Sequence, residues 1–150
     1  MKRIFFAGRT AQPIEDSNNI RLVNFIQIML ELNWKSSEII HVLSSYSKRG
    51  KLEVQDLREL FLMFAIKRKL KLMSHLINSE DFGLEFREDN FVDVIENDVF
   101  DMAVLLYREY FLEIKTQHEK IVTLLVSSFS KGNGQLEAKC FLLKRFLNKI

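Results

Sequence analysis

Beyond residue 20 the apolar positions fall into step with a helix. Ile20, Val23, Ile26 and Leu30 recur at three- and four-residue intervals, the spacing that lines side chains along one face of an α-helix. Asp16, Ser17 and Asn18 precede them as N-cap candidates. Asn33-Trp34-Lys35-Ser36 interrupts the pattern, residues 37–43 resume it, and Ser47-Lys48-Arg49-Gly50 punctuates it again. A third stretch, 52–66, carries Leu57, Leu60, Phe61 and Phe64; after the polar step Lys67-Arg68-Lys69 come Leu70, Leu72, Met73, Leu76 and Ile77. Residues 78–83 read as a loop. Residues 90–96 and 99–107 are apolar on one side, separated by Asn97-Asp98, and 119–128 and 136–147 flank the clearest break, Lys131-Gly132-Asn133-Gly134. The pattern predicts an all-α chain of eight helices in four pairs, one domain over residues 1–150. Residues 1–16, with the sole proline Pro13, are expected to be an N-terminal extension or cap.

The pairs repeat. Aligning the second helix of each places Leu43, Leu76, Leu106 and Leu142 at the same offset, 33, 30 and 36 residues apart. One helical hairpin cannot bury its apolar face alone, whereas stacked hairpins share a continuous core. Asn133-Gly134-Gln135-Leu136-Glu137-Ala138 resembles the inter-helix segment of the ankyrin repeat, in which Asn-Gly makes the turn and Leu-Glu opens the second helix. Glycine there permits the positive φ that ends the first helix. Residues 36–40 and 99–103 occupy the same place more loosely. The resemblance spans roughly residues 22–149 and implies an ankyrin-like solenoid of four helical hairpins. The Thr-Pro-Leu-His signature of that family is absent and only the last turn has glycine. A compact helical bundle without repeat symmetry is the alternative fold.

Composition changes this picture little. A hydrophobic content of 47% with 28% charged residues suits a folded domain, and 13 Phe are expected in the core. Cys140 is the only cysteine, which excludes an intrachain disulfide and fits a cytoplasmic, reducing setting; its place on the last helix predicts a buried thiol. Trp34 is expected to pack in the core. The start is too short in apolar residues for a signal peptide, and no run approaches the length of a membrane span, so no membrane partner is expected.

Charge is distributed in blocks under a net +2. Lys48, Arg49, Lys51, Arg58, Lys67, Arg68, Lys69 and Lys71 outnumber Glu53, Asp56 and Glu59 between residues 48 and 71. Between residues 80 and 101, Glu80, Asp81, Glu85, Glu88, Asp89, Asp93, Glu96, Asp98 and Asp101 face only Arg87. The C-terminal helix is basic again. Two readings follow: a self-complementary surface in which neighbouring units neutralise one another, or a bipolar binding surface whose Lys67-Arg68-Lys69 edge meets an acidic or phosphate-bearing partner.

Motifs for chemistry are missing. There is no phosphate-binding Gly-x-x-x-x-Gly-Lys-Ser/Thr loop and no His-Glu-x-x-His pair, and Gly132-Asn133-Gly134 lacks the rest of a dinucleotide fingerprint. His41 and His75 can approach on neighbouring second helices, without a third ligand for a metal. The expectation is a noncatalytic, cofactor-free protein–protein interaction module or small subunit of a larger assembly. The alternatives are a ribonucleoprotein component, of ribosomal type, contacting RNA phosphates through its basic loops, and an enzyme with an unmarked site. The ankyrin resemblance implies recognition through inter-unit loops and first helices, around residues 47–51, 79–89 and 110–117. Aromatic anchors there would be Phe82, Phe86, Tyr110 and Phe111, beside Lys67, Arg68 and Lys69.

Overall fold

The computed structural model describes residues 21–48, 53–79, 82, 87–110, 114–132 and 134–148. Among them are eight α-helices and no strand: α1 Leu22–Glu31, α2 Ser36–Ser47, α3 Val54–Ile66, α4 Leu70–Asn78, α5 Glu88–Glu96, α6 Phe100–Tyr110, α7 His118–Ser128 and α8 Leu136–Leu147. Each buries the face that its apolar spacing marks out: Leu22, Val23, Ile26, Met29 and Leu30 on α1, and Leu72, Met73 and Leu76 on α4. Local hydrogen bonds set two of the starts. The Lys35 amide donates to Glu38 Oε1 and the Arg87 amide to Asn90 Oδ1, each at 3.0 Å, so a residue in the first turn ties down the chain entering the helix.

The turns within the first three helix pairs have one geometry. Asn33, Arg68 and Asp98 are left-handed, with φ of 60°, 56° and 61°. In each case that residue's amide donates to the carbonyl three residues back, at Leu30, Ala65 and Ile95. The next amide, of Trp34, Lys69 or Val99, reaches five back to Met29, Phe64 or Val94. This double bond pattern satisfies two carbonyls left over at a helix end. The usual glycine is replaced by Asn, Arg and Asp. The last pair departs from expectation: its left-handed residue is Gln135, φ 61°, and not Gly134. The reason lies in the Gln135 side chain, which accepts from the Asp101 amide at 2.9 Å and donates to the Asp98 carbonyl at 2.7 Å. Bonds to the preceding turn hold Gln135 in a conformation that its own sterics oppose by about 1–2 kcal/mol.

Packing follows chain order. Each helix pair is an antiparallel hairpin, and the principal contacts between hairpins run α1–α3, α3–α5 and α5–α7 along the first helices and α2–α4 and α6–α8 along the second. Tyr110 Oη donates to Ser74 Oγ at 3.0 Å, linking α6 to α4. Ile26, Phe61, Phe91 and Ile121 on the first helices are enclosed in the core, and so are the four aligned leucines of the second helices, Leu43, Leu76, Leu106 and Leu142. Phe61, Phe64, Phe91, Phe100 and Phe146 are enclosed as expected.

Four residues assigned to the core lie outside it: Phe25, Trp34, Phe129 and Cys140. Cys140 is exposed, because α8 turns Lys139, Leu142 and Phe146 inward and residue 140 lies about 100° around the helix from its neighbour. Trp34 sits in the α1–α2 turn with 40% of its surface exposed. It continues a stripe of exposed Phe25, Ile28 and Leu32 on α1.

Candidate partner-binding surface

The charge blocks neutralise one another in part, across units. Arg58 on α3 grips Asp93 on α5 with two hydrogen bonds of 2.6 and 2.9 Å. Arg68 holds Asp101 on α6 in the same forked way, at 2.7 and 3.2 Å. Arg21 reaches Asp56 at 2.7 Å and also pairs with Glu59, and Lys120 lies 3.8 Å from Glu96. Those carboxylate hydrogen bonds push the pKa of Arg21, Arg58 and Arg68 further up. At the α5–α7 seam, burial alone would raise the Glu88 carboxyl. Hydrogen bonds from the Thr116 and Lys115 backbone outweigh it and hold the group below the usual carboxylate range. Exposed pairs of this kind each contribute up to about 1 kcal/mol, so their effect is register between units more than stability.

This changes the standing of the residues expected to bind. Arg68 is committed to Asp101, with its backbone in the left-handed region. Lys67 is exposed and Lys69 half-buried at the start of α4. Neither ammonium has a carboxylate partner among the described residues. Phe82 is half-buried and meets the His75 ring edge-on at 5.5 Å, while Tyr110 is half-buried and bonded to Ser74. Two of the expected anchors therefore converge on consecutive residues of α4, about 9 Å along its axis from Lys69 at 1.5 Å per residue. Phe86 and Phe111, like Arg49 and Lys51 of the basic block, lie outside the described residues.

Sequence reasoning passed over two features. On α6 and α8, the Arg108 guanidinium stacks over the Phe141 ring at 4.6 Å. Arg145 lies over the same ring at 5.1 Å and over Tyr107 at 5.9 Å. Arg108 and Phe141 are 33 residues apart, and no pattern within one helix announces the contact. The second is Lys139, only 4% exposed. Its Nζ donates to the carbonyls of Ser128 and Gly132 at 3.2 and 3.3 Å and sits 5.5 Å from the Phe100 and Phe129 rings. A cation at the C-terminal end of α7 complements the helix dipole and its free carbonyls. A shallow cavity of about 160 Å³ lies beside it, lined also by Asp98 and Gln135. Gln135 and Lys139 there are bonded to the backbone carbonyls of Asp98, Ser128 and Gly132.

Among the described residues no group of three His, Cys, Asp or Glu side chains is placed to hold a metal, and no helix is long and apolar enough to cross a membrane. His75 Nε2 and His118 Nε2 are buried and have no hydrogen-bond partner among the described residues. No family model matches the sequence, and neither a curated protein nor a solved structure is significantly similar to the chain.

Proposed function

We propose that the chain is a noncatalytic protein-interaction module, or a small subunit of a larger assembly, built as an ankyrin-like stack of four helical hairpins and working in the cytoplasm. The observation that carries this reading is the partition of contacts: each hairpin packs on its neighbours in sequence, which is how repeat arrays are held together. The recurring left-handed turn at Asn33, Arg68 and Asp98 and the four buried leucines support it. Stacked units present a row of turns and helix faces to a partner while the core stays intact, and Lys67, Lys69, Phe82 and Tyr110 lie on that row. A second reading rests on the ammonium groups of Lys67, Lys69 and Lys71, which have no carboxylate partner among the described residues: a ribonucleoprotein component held by RNA phosphates. Affinity capture with the whole chain from a native extract, split into nuclease-treated and untreated halves, separates them. Recovery of the same protein partner from both halves is the expected result. Loss of all partners on nuclease treatment transfers the assignment to RNA.

A further inference from the structure

Three of the described arginines, Arg21, Arg58 and Arg68, are spent on carboxylates of the next unit. Arg108 and Arg145 are not. Both are exposed, and neither has an ion pair among the described residues. Both are instead stacked on Phe141. Their guanidinium carbons can be no further apart than their two ring distances combined, which falls inside the Debye length of about 10 Å at 0.1 M salt. Two like charges at that separation repel. The ring offsets some of this through its negative face, roughly 0.5–1 kcal/mol per exposed pair. Glu109 and Glu137, the exposed acids on the same two helices, pair with neither arginine. An incoming anion would relieve the repulsion and meet two guanidinium groups already held over one ring.

We propose that Arg108 and Arg145, held on Phe141 and flanked by Tyr107, form the site where this module receives an acidic segment of its protein partner, its Asp and Glu carboxylates entering the two guanidinium forks. The assignment rests on the interaction-module reading and adds the partner's chemistry to it. A protein segment fits better than single-stranded RNA because the face of Phe141 that a base would stack on is occupied by guanidinium groups. Lys144, exposed on α8 and without an ion pair among the described residues, extends the positive field over a segment several residues long.

The test is fluorescence anisotropy of a labelled decapeptide of alternating Glu and Ala at physiological salt, titrated with the whole chain and with three double variants. Arg108→Gln/Arg145→Gln removes the forks. Lys67→Gln/Lys69→Gln removes the same net charge from another unit. Arg108→Lys/Arg145→Lys keeps the charge without the planar fork. The first should weaken binding about tenfold or more, through the loss of charge-assisted hydrogen bonds from both guanidinium groups. The second should leave it within about threefold, and the third should fall between. Unchanged circular dichroism of the variants shows that they fold. Equal losses in the two Gln pairs, or no binding by the unaltered chain, overturn the proposal. So does tighter binding of an oligouridylate of matching charge that depends on the same arginines. A partner still captured by the Arg108→Gln/Arg145→Gln chain would sink this site while leaving the module reading intact.

Discussion

Replacing Phe146 with Ala opens a cavity where the third and fourth hairpins meet. The ring is fully buried and touches three others: Phe91 at 5.8 Å, Tyr107 at 5.5 Å and His118 at 6.1 Å. Truncating an enclosed Phe costs about 3–5 kcal/mol, within which each lost aromatic pair accounts for roughly 0.5–1.5 kcal/mol. Phe146 lies one residue from the end of α8, where the chain can partly collapse into the space, so the lower end, about 3 kcal/mol, is the expectation. With a urea slope of about 2 kcal/mol per molar, the unfolding midpoint should fall by roughly 1.5 M. Urea titration followed by far-ultraviolet circular dichroism reads this directly. A cycle with Phe91→Ala sharpens it: the two rings share one cavity, so the double variant should be less destabilised than the sum by about 0.5 kcal/mol or more. A midpoint shift below about 0.5 M, or strict additivity, would mean that the rings do not meet and that the seam is mis-drawn.

Three further expectations follow from particular residues. Arg68 holds a left-handed backbone that costs a non-glycine residue about 1–2 kcal/mol, so Arg68→Gly should be more stable than Arg68→Ala by about 1 kcal/mol; both lose the Asp101 pair, and equal stability would refute the turn geometry. Nothing lies within 4 Å of a side chain added at Gly134 and its φ is not positive, so Gly134→Ala should be tolerated and should stabilise by up to about 1 kcal/mol through the unfolded state; clear destabilisation would return the left-handed residue to Gly134. Glu88 is held below the usual carboxylate range. Its stabilising effect is therefore present above its unfolded pKa, about 4.3, and is lost as pH falls through the lower folded value. Melting curves between pH 6 and 3 should decline less for Glu88→Gln than for the unaltered chain, and parallel curves would count against the Thr116 contact.

Periodicity made the helices legible because burial follows spacing: α8 begins and ends where the apolar pattern does, and the four aligned leucines are all enclosed. What spacing cannot supply is the partner of each polar group. Glycine 134 looked like the left-handed residue on local propensity, yet Gln135 takes that conformation because its side chain bonds a turn more than thirty residues earlier. Cys140, expected inside, is exposed and its neighbour Lys139 is buried instead, since a lysine stem can be buried if its ammonium meets carbonyls at a helix end. The charge blocks were visible as blocks. Which cations they leave free was not, because Arg58 and Arg68 find Asp93 and Asp101 at 35 and 33 residues' distance, while Arg108 and Arg145 find a phenylalanine.

In the proposed role this chain binds another protein on the surface of an intact stack of helix pairs. Hydrogen–deuterium exchange of the chain, alone and in complex with the protein recovered by nuclease-resistant capture, tests it most directly. The account predicts slowed exchange on the exposed side of at least two consecutive hairpins, with amides around Arg108 and Arg145 among them and the core helices equally protected in both states. Slowed exchange confined to a single hairpin, or a core that loses its protection on binding, would contradict it.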